Sequence, residues 1–333
     1  MQPNTSPDGI VDLAIIGAGP TGLFAAFYAG LREMSVKLID SLDSLGGQLT
    51  ALYPEKFIYD VAGFPKVFAK DLVRDLIQQA MQYSPGICLG EQVQTLEEMD
   101  GGKYWRLKTN KATHQARTII IAAGIGAFQH KTLPLPNAPE FHEKGLHYFV
   151  KEVSAFHKKR ILIVGGGDSA VDWANMLAPV ASELTLIHRR DQFRAHEDSV
   201  KKMHQTPARI KTFYELKSIH GTGRIEKAVI FDNRTKVDEH LNVDAILVNI
   251  GFHSSLGPIK EWGLKTEKGS ILVDGMMQTN RPGIFGAGDI VAYPGKLKLI
   301  ATGFGEACTA VCHAKHHIDP AAKIFPGHSS EMK

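Results

Sequence analysis

Two glycine-rich turns hold the residues best suited to chemistry in this chain, and that chemistry is the binding of two dinucleotides. The first turn, Gly17-Ala18-Gly19-Pro20-Thr21-Gly22, follows an apolar run at 13–16 and opens the helical text LFAAFYAGLRE. A turn of this kind lets backbone N–H groups and a helix N-terminus approach a pyrophosphate, and its third glycine lets helix and strand pack closely. Asp40 closes the next apolar run, 36–39, where a carboxylate accepts hydrogen bonds from a ribose diol. The second turn, Gly165-Gly166-Gly167-Asp168-Ser169-Ala170, has Ala170 where the first has Gly22, an allowed variant. At the same distance past its first glycine stands His188, followed by Arg189 and Arg190, with Arg194 close behind. An acid there would repel a 2′-phosphate, whereas guanidinium groups grip one bidentately. The first turn therefore suits an adenosine lacking a 2′-phosphate and the second an adenosine carrying one. FAD at the first and NADP(H) at the second is the consistent assignment.

Other chemistry is poorly served. The 333 residues include only 3 cysteines, too few for a disulfide framework or the four thiolates of an iron–sulfur cluster. Redox work must then come from a bound cofactor. Cys308 and Cys312 share one face of a helical segment and read as packing, and His316-His317 lacks the acid–histidine spacing of a zinc helix, so no metal is expected. No Ser–His–acid grouping stands out. The text FHEKGLHYF does not fit the F-x-G-x-x-x-H of Baeyer–Villiger-type flavin monooxygenases.

The elements that must position these turns are legible as a rough internal repeat. Each turn sits in a strand–turn–helix–strand unit, 13–39 and 161–187, the opening of a doubly wound parallel sheet. Each unit has a later echo, an apolar run ending in Ala123-Gly124 or in Ile250-Gly251, with β-rich segments between. Two Rossmann-like dinucleotide-binding domains of α/β class, with three-layer ββα architecture, are expected. Net charge is +3, mild for this length, which disfavours nucleic acid as a partner. No apolar stretch is long enough to span a membrane, and Asp12 interrupts the N-terminal apolar run, so a secretory signal is not expected and the chain reads as cytoplasmic.

Taken in order, GAGPTG, GGQL, GGGDSA, HRRDQFRA and GIFGAGD resemble the thioredoxin-reductase-like flavoproteins from end to end. Thioredoxin reductases carry Cys-x-x-Cys just before the second turn. Here that stretch is HYFVKEVSAFHKK, and no cysteine lies between Cys88 and Cys308, so a dithiol relay is absent. The closer resemblance is to the thioredoxin-reductase-like class of ferredoxin–NADP+ reductases, through Gly46-Gly47-Gln48-Leu49, LYPEK at 52–56 and a tail containing His328-Ser329-Ser330. That resemblance implies that Tyr53 and His328 cover opposite faces of the flavin, with Ser330 near its reactive edge. It implies that Gly47, Gln48, Val93 and Phe128 contact FAD, and that Asp289 binds the ribitol.

The resemblance also implies a split FAD domain, 1–126 with 283–333, an inserted NADPH domain, 127–282, and a homodimer. The implied reaction is hydride transfer from nicotinamide to flavin N5, followed by single-electron steps to ferredoxin or flavodoxin, with no side chain needed as acid or base. Two readings share the scaffold: an NADPH:quinone or small-molecule reductase, and a non-catalytic FAD/NADP-binding redox sensor.

Overall fold

The run that precedes the first glycine turn forms strand β1 (Val11–Ile16), and the turn leads into helix α1 (Pro20–Leu31) with Pro20 at its first position. A computed structural model describes residues 9–150, 152–325 and 327. The chain continues through β2 (Val36–Ile39), helix α2 (Ala69–Met81), β3 (Gly86–Cys88), β4 (Val93–Met99), β5 (Tyr104–Thr109) and β6 (Thr113–Ile121). It leaves this first compact unit after residue 128.

The second unit, 129–253, contains β7 (Leu146–His147), β8 (Arg160–Gly165), helix α3 (Asp168–Leu177), β9 (Glu183–His188), β10 (Arg209–Thr212), β11 (Tyr214–His220), β12 (Lys227–Asp232), β13 (Asp238–Asn242) and β14 (Ala245–Asn249). The chain re-enters the first unit at 254 and adds β15 (Ile284–Gly286) and helix α4 (Ile300–Ile318).

In the first unit the sheet order is β3-β2-β1-β6-β5-β4, with β15 also paired to β6. The long strand β6 serves both halves. Its first residues pair antiparallel with β5, and Ile119, Ile120 and Ile121 pair parallel with β15. Alternation along the strands sorts the core into two layers. Leu13, Ile15, Ile120 and Phe285 face the helices, against Ala25 and Ala29 of α1, Leu72 and Leu76 of α2, and Ala307 and Ala310 of α4. Val11, Ile16, Ile119 and Ile121 face the other way, against Val93, Trp105, Trp262 and Ile271.

That second layer explains a boundary difference. The resemblance implies that 254–282 belong to the inserted segment, but these residues pack with the first unit. Leu256, Ile259, Trp262 and Leu264 are buried in its apolar layer, and Trp262 Nε1 donates to the Gln94 carbonyl at 3.0 Å.

The second unit has a five-stranded parallel sheet, β7-β14-β8-β9-β10, and an antiparallel sheet, β11-β12-β13. Ala170, Val171, Trp173, Ala174 and Leu177 form the buried face of α3. Asp244, just ahead of β14, accepts three bonds from Arg160 at the start of β8: backbone N at 2.9 Å, Nε at 3.0 Å and Nη2 at 2.7 Å. The Arg160 contacts hold its carboxyl down at about 2. Because the folded value lies below the ordinary carboxylate range, the bond stabilises fully above about pH 4 and is lost as pH falls toward 2. Asp244→Asn is therefore expected to lower the melting temperature at neutral pH and to leave little difference from wild type near pH 2. Melting curves across that range check it, and a pH-independent difference overturns it.

Candidate dinucleotide-binding sites

The first site forms where β1, β2 and β6 end side by side, at the carboxyl edge of a parallel sheet, the usual place for ligands in such folds. Gly17 has φ +109°, and its N–H donates to the Ile39 carbonyl at 2.8 Å. A side chain at Gly17 would run into the Ala122 backbone, and one at Gly22 into the Gly17 carbonyl oxygen. The Gly46-Gly47 loop closes on this turn: Gly46 N–H donates to Ala18 O at 2.8 Å, and a methyl on Gly47 would lie 2.8 Å from Gly19 Cα. Asp40 is 8% exposed and accepts the N–H groups of Ala18 at 2.5 Å and Leu42 at 2.8 Å. Burial pushes its carboxyl up, with those two bonds opposing the shift. The expected acid thus sits on the glycine turn.

Most first-site residues converge there. Thr21 faces Gly288 and Gly303, so the GIFGAGD text and α4 reach the turn from the far end of the chain. Gln48 starts the short helix Gln48–Ala51, and its Nε2 lies 3.0 Å from where a Gly124 methyl would stand. Tyr53 is half-buried. Burial pushes its phenol up to about 12, helped by the nearby carboxylates of Asp289 and Asp60. Burial likewise raises Asp289, against the pull of Lys296 and Lys298. Val93 is 4% exposed, with its side chain in the core and its position in the ladder opposite Thr109. Phe128 stands on the strand Ala127–His130. His328, Ser329 and Ser330 lie outside the described residues.

In the second unit, Gly165 packs so closely on the end of β14 that a side chain there would overlap the Asn249 carbonyl. Gly167 caps α3 in extended conformation. Arg194 N–H donates to Gly166 O at 2.7 Å, and His196 N–H donates to Asp168 Oδ1 at 3.1 Å, so the basic loop lies along the glycine turn. Ser169 occupies the second position of the helix. The side chains of Arg189, Arg190 and Arg194 are exposed, and no protein carboxylate pairs with them among the described residues.

His188 is used differently. Its ring lies over Gly166, Nε2 donates to Gln192 O at 3.1 Å, and it stacks on Phe193 at 5.2 Å. Burial lowers its pKa, the Gln192 bond opposes the shift, and the three arginines lower it further. His188→Ala is expected to weaken NADPH and NADH by the same factor. A change in the ratio of kcat/KM for the two nucleotides would refute that packing role.

Sequence reasoning missed two features. Asn249 Oδ1 is buried beside Gly165 without a hydrogen-bond partner among the described residues, an acceptor at the second turn. Glu306 is buried at the first site. Its only signal was a carboxylate within the small, apolar text GFGEACTAV. Fit to a dinucleotide is thus carried by the Gly17–Gly19–Gly47 cradle in one unit and the orphaned Asn249 acceptor in the other. Cys88, Glu91 and His114 bring ligand atoms within 4.8 Å of one another. Lys37 Nζ, at 3.4 Å from His114 Nδ1, already places a cation there, and Glu91 accepts from His114 and Thr109, so these groups form a satisfied hydrogen-bond network. Among the described residues no helix is long and apolar enough to cross a membrane.

Comparison with known proteins agrees with this geometry. The family model for pyridine nucleotide-disulphide oxidoreductases matches residues 11–313. The chain is 54% identical over 328 residues to "Ferredoxin--NADP reductase 2" of Bacillus cytotoxicus, covering 98% of this chain and 99% of that one. It is 54% identical over 324 residues to "Ferredoxin--NADP reductase" of Halalkalibacterium halodurans, covering 97% and 98%. Among solved structures, the thioredoxin reductase of Lactococcus lactis is similar with TM-score 0.79 and 27% identity, covering 92% of this chain and 99% of that one. That of T. acidophilum is similar with TM-score 0.80 and 25% identity, covering 94% and 100%.

Proposed function

The chain belongs to the pyridine nucleotide-disulphide oxidoreductase family, and from that premise we propose that it is an FAD-dependent oxidoreductase passing electrons between NADPH and ferredoxin or flavodoxin. One observation carries the choice of nucleotides. A buried carboxylate, Asp40, closes the first turn, while just past the equivalent place in the second stand exposed guanidinium groups with no carboxylate partner among the described residues. The lack of any Cys-x-x-Cys supports a protein electron carrier over a disulfide as the second substrate, although the solved structures it resembles are thioredoxin reductases.

When bound, FAD supplies the conversion between a two-electron hydride and single electrons. The chain's residues bind and orient. The Gly17–Gly22 turn takes the pyrophosphate and Asp40 the ribose. On resemblance, Tyr53 and His328 would cover the two flavin faces with Ser330 near the reactive edge, Asp289 would bind the ribitol, and Gly47, Gln48, Val93 and Phe128 would contact FAD. Gly165, Gly167, Asp168 and Ser169 form the NADPH pyrophosphate turn, and Arg189, Arg190 and Arg194 grip the 2′-phosphate. Hydride transfer takes no proton from a side chain, so no general acid is assigned. The same resemblance supports a homodimer, which light scattering tests.

The decisive experiment adds NADPH to the yellow holoprotein without oxygen, then follows cytochrome c reduction with and without ferredoxin. Bleaching of the flavin and a large ferredoxin-dependent rate are expected. No bleaching would favour a redox sensor. Reduction of a quinone with no response to ferredoxin or flavodoxin would favour the small-molecule reductase.

A further inference from the structure

Glu306 lies on the inner face of α4 at 4% exposure, between Gly303 and Ala310. Its Oε2 accepts the Gly288 N–H at 2.7 Å, and its Oε1 accepts the Tyr293 hydroxyl at 2.6 Å and the Lys296 ammonium. The Lys296 side chain is 6% exposed, so both ions of the pair are withdrawn from water. One carboxylate therefore ties α4 to both ends of the segment 288–296. Gly288 has φ +82°, and the turn it opens presents Asp289.

Stability alone is a weak reason for this arrangement. Burying two ions carries a desolvation cost that their attraction often only offsets, and a well-packed apolar set commonly serves as well. The pair does something apolar packing could not. Lys296 and Lys298 pull the Asp289 carboxyl down and Glu306 pushes it up more weakly, so the carboxylate paired with Lys296 offsets part of the cationic field beside the flavin-holding acid. The Tyr293 phenol, pushed up to about 12 by burial and then by Glu306, stays protonated and keeps donating.

We propose that Glu306 is a positioning residue for the flavin: it fixes the Gly288–Asp289 turn through the Gly288 N–H and neutralises the Lys296 charge beside it. The proposal rests on the reading of that turn as part of the FAD site. Removing the carboxylate charge leaves an ammonium that favours the negatively charged reduced flavin. Removing the ammonium leaves a carboxylate that disfavours it.

The test compares Glu306→Gln, Lys296→Met and the double variant as holoproteins. It measures FAD release by flavin fluorescence and the midpoint potential of the bound flavin. Glu306→Gln is expected to bind FAD about tenfold more weakly, from loss of a charged acceptor, and to shift the potential upward. Lys296→Met is expected to shift it downward, and the double variant to return it to the wild-type value. Shifts of opposite sign with recovery in the double variant are not produced by loosened packing. If Glu306→Gln fails to fold, the downward shift in Lys296→Met and the recovery in the double variant still decide the matter. Unmoved potentials with FAD affinity within about twofold of wild type overturn the proposal. Failure of the wild-type chain to bind FAD overturns the flavin reading itself.

Discussion

Replacing Arg189 and Arg190 together by alanine is expected to raise the KM for NADPH about 100-fold while changing that for NADH by less than about twofold. The two guanidinium groups leave β9 exposed, with no carboxylate partner among the described residues, beside a loop that runs along the Gly165–Gly167 turn. A phosphate there gains charge-assisted bonds without breaking any protein ion pair. NADH presents only a ribose hydroxyl at that position, so little is lost with it. Steady-state kinetics with both nucleotides check the prediction, and equal losses would assign the arginines to a solvated surface. The effect should shrink as salt rises, because exposed charges are screened.

Gly22→Ala is expected to yield protein largely free of flavin, with FAD bound roughly 100-fold more weakly, whereas Gly166→Ala is expected to keep FAD and to weaken NADPH only severalfold. The contrast comes from what an added methyl group meets. At Gly22 it meets the Gly17 carbonyl oxygen, part of the phosphate-binding turn itself, and backbone there cannot move without carrying the turn with it. At Gly166 it meets the His188 ring, a side chain that can rotate away from Phe193. Flavin absorbance per protein and nucleotide titration measure the two effects. Full flavin retention in Gly22→Ala would refute the assignment of the first turn.

Both glycine turns, the strands before them and the helices after them were legible because they are local. An apolar run, a glycine spacing and a helical text lie within about 30 residues, and each imposes its own backbone geometry. Asp40 was legible for the same reason, since β2 follows α1 directly. Residues 254–282 were not. Their membership in the first unit depends on Trp262 and Ile271 finding Val93 and Trp105, partners far off in the chain that leave no periodic trace near Trp262.

The sequence by itself determined the fold class, the two dinucleotide turns, the opposite charges beside them and the absence of a dithiol. These follow from residue type and short spacing. Only the tertiary structure decided that His188 packs over Gly166 while its arginine neighbours stay exposed, because ring placement depends on Phe193 and Gln192 across a turn. It alone brought Glu306 and Lys296 to the Gly288–Asp289 turn. A buried charge is tolerated only where distant groups complete its bonds, and such completion exists only once the chain has folded.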